Sequence, residues 1–298
     1  MCGISGIVFS DPRRVPEQAL LEGMGRVVAH RGPDGHGSLL APGIGLDFRR
    51  LAIIDPETGH QPLFNEDRSV VLVCNGEIYN YLELRRELTQ RGHVFATGSD
   101  AEVAVHLYEE SGPQFLHRLR GMFGLALWDH EKRRLMLARD RLGIKPMHYW
   151  CGPQGDLVFA SEIKSILASG MMERAVEPGA LCDLLSLGFV VTPRTMFKGI
   201  AQLEAGQMLL YSAGEHVLQR YWDLKFQPLS PEDGRKSCRD WSEDLVLIRG
   251  KGRLLPRMVY EQFGLMRCGK KRCTKTVLCD MCPELGAERE LETCEPSW

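Results

Sequence analysis

The chain has 298 residues, which at roughly 150 residues per domain sets a prior of one or two domains. Hydrophobic residues make up 44% and charged residues 26%, a soluble globular composition rather than a disordered or fibrous one. Lys and Arg total 37 against 39 acids, so net charge gives no reason to expect a nucleic-acid or anionic-membrane partner. No apolar run reaches the ~18 residues of a membrane span. The start, Met-Cys-Gly-Ile-Ser-Gly-Ile-Val-Phe, lacks the basic n-region of a secretory signal. A cytoplasmic protein is expected.

In chain order, Ile4 to Phe9 reads as a short strand. Pro16 opens a helix with Leu20, Met24, Val27 and Val28 on one stripe, ended by Gly32. Residues 31–37 read as a Gly/Pro loop. Val70 to Cys74 is a buried strand, stopped by Asn75-Gly76. Asn80 with Glu83 forms an N-cap pair for a helix through Gln90, closed near Gly92. The run from Ser99 to Glu102 is a capping box for a second helix toward Ser111. Two hairpins follow, pairing 123–128 with 135–139 and 147–150 with 157–160. Helices close the series at 162–168 and 180–187. The predicted class is α+β, with mostly antiparallel sheets and helices outside them.

Beyond residue 225 the character changes. Residues 226–240 read as a linker and 241–298 as a Cys-rich, charged, poorly ordered tail. Six of the ten cysteines lie in the last 61 residues. Cys268, Cys273, Cys279 and Cys282 contain one C-x2-C and one badly spaced pair, where a structural zinc site usually shows two short-spaced pairs. No metal is expected there. The basic run around Lys270–Lys275 is read as solvated charge.

Cys2 follows the initiator methionine. A small second residue is compatible with removal of Met1, which would give Cys2 a free α-amine of ordinary pKa about 7.7–8.0. A thiol and a base then share one residue. Asn75 and Gly76 offer an amide and a backbone N–H for an oxyanion, or else form a plain Asn-Gly turn. Arg50 can pair bidentately with a carboxylate, or remain a solvated strand-edge cation. Asp100 and Glu77 can hold an ammonium, or respectively serve the helix dipole and cap a turn.

Five ordered segments unite these residues: Met-Cys-Gly-Ile at the start, His-Arg-Gly-Pro-Asp at 30–34, Arg-Leu-Ala-Ile-Ile-Asp at 50–55, Asn-Gly-Glu-Ile-Tyr-Asn at 75–80 and Arg-Asp-Arg-Leu-Gly-Ile-Lys-Pro at 139–146. Thr-Gly-Ser-Asp at 97–100 and Phe-Ala-Ser-Glu-Ile-Lys at 159–164 add to them. Residues 2–225 resemble the glutaminase domain of glutamine-hydrolysing asparagine synthetase, a class II, N-terminal-nucleophile glutamine amidotransferase. The resemblance implies a four-layer αββα sandwich. It makes Cys2 the nucleophile toward L-glutamine and Asn75 and Gly76 the oxyanion donors. It gives the substrate carboxylate to Arg50, with Leu51, Ile53 and Ile54 nearby, and the amino end to Glu77 and Asp100. No metal or cofactor is implied for this domain. ATP and Mg belong to the family's second domain, whose Ser-Gly-Gly-x-Asp-Ser loop does not occur in these 298 residues. The expectations are therefore a truncated or frame-shifted product that hydrolyses glutamine, or a non-catalytic or partner-dependent module. The partner expected besides L-glutamine is a separate ammonia-accepting synthetase or a second copy in a homodimer.

Overall fold

A computed structural model describes residues 1–224; the linker and tail expectations lie outside the described residues. Two six-stranded sheets dominate. Strands β1 (Gly3–Val8), β2 (Gly35–Ala41), β3 (Ile44–Arg50), β4 (Leu63–Phe64) and β5 (Val70–Ile78) precede helices α1–α3 only in part, since α1 (Gln18–Arg26) follows β1, and α2 (Tyr81–Gln90) and α3 (Val103–Ser111) follow β5. Then come β6 (Gly121–Asp129), β7 (Arg134–Arg139), β8 (His148–Cys151), β9 (Leu157–Ala160), α4 (Ile163–Ala168), α5 (Pro178–Leu187), β10 (Ile200–Gln202), β11 (Gln207–Ser212) and β12 (Glu215–Arg220). The first sheet runs β10-β8-β9-β1-β3-β2 and the second β12-β11-β7-β6-β5-β4. Every strand pair in both is antiparallel.

Side-chain alternation builds the layers. Ile4 and Val8 of β1, Phe48 of β3, and Val71 and Val73 of β5 share one core, so the two sheets pack face to face. Ile7 turns outward, to a second core with Met24 of α1 and Ile166 of α4. Leu72 and Cys74 turn outward from the other sheet, against Leu84 and Leu88 of α2 and Val103 and Leu107 of α3. The order is helices, sheet, sheet, helices, as the expected αββα sandwich requires. Phe48 and Phe159 are fully buried between the sheets, each contributing roughly 1.5–3 kcal/mol by leaving water.

Several local expectations are corrected. The 31–37 loop gives way to β2 at Gly35, and Pro16 precedes α1 rather than opening it. β5 does not stop at Asn75-Gly76. It pairs Asn75 with Gly124 and Gly76 with Phe123, so the turn reading fails. A Cβ on Gly76 would run into the Met122 carbonyl, and this close approach requires glycine. Neither predicted cap forms. The Asn80 amide donates to the Arg118 carbonyl and accepts from the Arg120 N–H. The Glu102 carboxylate accepts from the Ala96 and Thr97 N–H groups. α3 starts at Val103, which leaves Asp100 in the loop before it.

Candidate active site

The site follows from strand alternation carried to the strand ends. Arg50 continues the Ile44–Leu46–Phe48 row of β3, and Asn75 continues the Val71–Val73 row of β5. Cys2, one residue before β1, also packs on the inter-sheet core. The β1–β3 register pairs Gly3 with Arg49, which brings Cys2 beside Arg50. All three inner-face polar residues thus reach one cleft at the edge of the sandwich. Its walls include Leu51, Ile53, Ile54, Gly76, Glu77 and Asp100, so the structure collects every sequence-predicted site residue.

The Cys2 thiol donates to the Leu51 carbonyl at 3.6 Å, and its sulfur accepts the Leu51 N–H at 3.3 Å. Burial pushes its pKa up, so the neutral thiol is the resting form and attack requires a base. No side chain supplies one by hydrogen bond to this sulfur among the described residues. Burial also holds the Met1 ammonium below its ordinary value, and the charges of Arg31 and Lys145 add to this.

Asn75 is 1% exposed, and its side-chain Nδ2 has no hydrogen-bond partner. Leaving a buried donor unpaired costs about 1–3 kcal/mol, so this amide is spent on something other than stability. Arg50 is also buried, and its guanidinium donates to the carbonyls of Ile54 at 3.4 Å, Asp55 and Pro56 at 2.8 Å. None of these partners neutralises its charge. It therefore shapes the 51–56 loop while keeping a positive charge that a carboxylate can pair with. The Asp100 carboxylate accepts the Ile78 N–H at 2.6 Å, and burial raises its pKa to about 6.

Several of the motif segments brace this cleft. Arg31 donates to the Cys2 carbonyl at 2.9 Å and pairs with Glu162 at 2.8 Å. Asp34 accepts the Ala52 N–H at 2.9 Å. Asp55 accepts the Gly98 N–H at 2.7 Å and joins the 50–55 segment to the 97–100 segment. Asp140 is fully buried and accepts N–H groups of Leu142, Ile144 and Lys145 at 3.1, 3.0 and 2.9 Å.

Lys145 lines the cleft and was missed among the site residues. Burial lowers its pKa. Its signal lay within Arg-Asp-Arg-Leu-Gly-Ile-Lys-Pro, where Asp140 folds the loop that presents it. Gln61 was also missed. Its side chain pairs twice with the Cys74 backbone, accepting the N–H at 2.7 Å and donating to the carbonyl at 3.1 Å, just before Asn75.

The glutamine amidotransferase domain family model matches residues 1–222, and the chain belongs to that family. Its curated relatives are glutamine-hydrolysing asparagine synthetases. Asparagine synthetase 2 of Bacillus subtilis (strain 168) is 40% identical over 234 residues, covering 76% of this chain and 31% of that protein. Asparagine synthetase 1 of the same organism is 36% identical over 253 residues, covering 83% and 40%. The chain thus spans about a third of the length of these relatives. Among solved structures, the glutamine phosphoribosylpyrophosphate amidotransferase of Bacillus subtilis matches at TM-score 0.53 with 20% identity, covering 74% of this chain and 49% of that one. The allosteric regulatory enzyme of purine biosynthesis matches at TM-score 0.54 with the same identity and coverage. These two likenesses concern the fold alone.

Proposed function

We propose that this domain hydrolyses L-glutamine to L-glutamate and ammonia through a thioester on Cys2. One observation carries the reading: a buried, unpartnered Asn75 amide and the Cys2 thiol lie in one cleft. Arg50 takes the substrate carboxylate, and Asp100 with Glu77 takes its ammonium. Leu51, Ile53 and Ile54 wall the chain between. With Met1 removed, the Cys2 nitrogen is the amine that serves as base, directly or through a water.

The steps balance without a cofactor. Sγ bonds to the carboxamide carbon as the thiol proton moves to the α-amine. The carbonyl oxygen becomes an oxyanion held by Asn75 Nδ2 and the Gly76 N–H. The amine returns the proton to the departing nitrogen, the C–N bond breaks, and ammonia leaves. Water then attacks the thioester, giving its proton to the amine, and glutamate departs as Sγ regains a proton.

No helix among the described residues is long and apolar enough to cross a membrane. We place the reaction in the cytoplasm, where the Cys2 thiol stays reduced. That the relatives are named asparagine synthetases supports a use of the ammonia in amide formation. ATP and Mg would serve that second reaction, and no described residue is assigned to them. The test compares glutamate release by the wild-type chain and Cys2→Ala. Release by the wild type alone supports the reading, and equal release overturns it.

A further inference from the structure

A second cluster lies outside the glutamine cleft, between the β4–β5 turn and the α2–α3 layer. Glu66 comes from the turn, His93 from the segment after α2, and His106 and Glu109 from one face of α3, three residues apart. One ligand atom from each lies within 4.8 Å of all the others.

The separations have the scale of a coordination shell. His106 Nδ1 is 3.2 Å from Glu109 Oε2 and 3.4 Å from Glu66 Oε2. His93 Nδ1 is 3.5 Å from Glu66 Oε1 and 3.7 Å from Glu109 Oε2. Four ligands tetrahedral about zinc at its usual bond lengths stand about 3.3 Å apart. Two imidazoles that ligate in their neutral form and two carboxylates would together present the charge that a divalent ion cancels.

The surroundings are built to the same plan. Metal-bound histidines normally turn their other ring nitrogen to a carboxylate. His93 Nε2 lies 3.2 Å from Glu110 Oε1, and His106 Nε2 faces Glu102 Oε1 at 3.8 Å. The carboxylates are held as well. Asn65 donates to Glu109 Oε1 at 2.8 Å, and the Val94 N–H donates to Glu66 Oε1 at 2.8 Å. His106 is fully buried, while Glu66 and Glu109 are partly open to solvent, which leaves an entry path.

We propose that Glu66, His93, His106 and Glu109 bind a divalent transition-metal ion of the zinc class in a closed, structural site. This departs from the expectation of no metal in the domain. The sequence signal was the His106-x-x-Glu109 pair on one helix with His93 upstream. Glu102, behind His106, also holds the Ala96 and Thr97 N–H groups, so the ion would brace the segment leading to Asp100. The site is independent of the glutaminase reading and can stand or fall alone.

The test titrates Co(II) into the tag-free full-length chain after treatment with chelator. Expected are the strong visible d–d bands of tetrahedral nitrogen–oxygen ligation, without sulfur-to-cobalt charge transfer, and a metal-dependent rise in Tm. His93→Gln should remove both. Glu110→Gln should weaken binding by roughly 10- to 100-fold. Bands unchanged in His93→Gln, or bands that always carry the sulfur signature, would overturn the site. Should His93→Gln not fold, wild-type crystals soaked in Zn(II) give the answer. An anomalous peak among the four side chains supports the proposal, and its absence refutes it.

Discussion

The Asp100 carboxylate accepts the Ile78 N–H at 2.6 Å, tying the loop before α3 to the end of β5 that carries Asn75, Gly76 and Glu77. The acid is thereby fixed in the cleft that Asn75 and Gly76 also line, in a nearly dry position, 5% exposed. Its pKa rises from 3.8 to about 6 because burial penalises the charge.

That shift has two consequences of opposite sign. Between about pH 4 and pH 6 the folded state holds a proton that the unfolded chain has lost, so Asp100 costs stability as pH rises through this window. The full cost above it is on the order of 2–3 kcal/mol. On the proposed role of Asp100 in holding the substrate ammonium, only the carboxylate binds, so kcat/KM should fall as pH drops below about 6. Asp100→Asn should raise Tm at about pH 8 and leave it nearly unchanged at about pH 4, while raising KM for glutamine at least tenfold. Thermal melts and kinetics across pH check both signs. A lower Tm in Asp100→Asn at about pH 8 would refute the burial cost.

Asn75→Ala separates catalysis from stability. The Nδ2 donor has no partner in the fold, so its removal forfeits no hydrogen bond and should not lower the unfolding free energy by more than about 1 kcal/mol. Loss of an oxyanion donor should cut kcat by roughly 100- to 1,000-fold with little change in KM. A large fall in Tm with a proportionate loss of activity would assign Asn75 a structural role instead.

Arg50→Lys keeps the charge and loses the fork. The three carbonyls of residues 54–56 cannot all be reached by one ammonium with the same geometry. KM should rise more than tenfold, with a smaller effect on kcat. Limited proteolysis should cut the 51–59 loop faster. An unchanged KM would remove Arg50 from carboxylate recognition.

Asp140→Ala leaves the Leu142, Ile144 and Lys145 N–H groups without their shared acceptor. Hydrogen bonds to a charged group contribute about 1.5–3 kcal/mol each and are not additive, so a loss of about 3 kcal/mol or more is expected. Chemical denaturation measures it. A change under 1 kcal/mol would show that the loop holds without Asp140.

The site was legible because its residues sit in short ordered words of sequence, and the inner-face alternation of β1, β3 and β5 was hidden behind them. Much of the fold was less legible. β12 is exposed along its whole length, so no period-two pattern marks it. β2 begins Gly-His-Gly-Ser, a run with turn chemistry, and is held as a strand by seven paired positions on β3. Asn75-Gly76 has the strongest local turn signal, yet pairing with β6 overrides it. Ser99 and Glu102 fit a capping pattern, but Glu102 has better donors in the preceding loop. In each case a contact distant in sequence outweighs a local preference.

Acyl transfer to Cys2, assisted by its own amine, leaves a thioester that can be trapped. The direct measurement is tandem mass spectrometry of the N-terminal peptide from protein mixed with glutamine and quenched in acid. The expected peptide begins at Cys2 and carries a hydroxylamine-sensitive glutamyl group on Sγ. Protein that hydrolyses glutamine while its peptide still begins at Met1, with Cys2 never acylated, would contradict it.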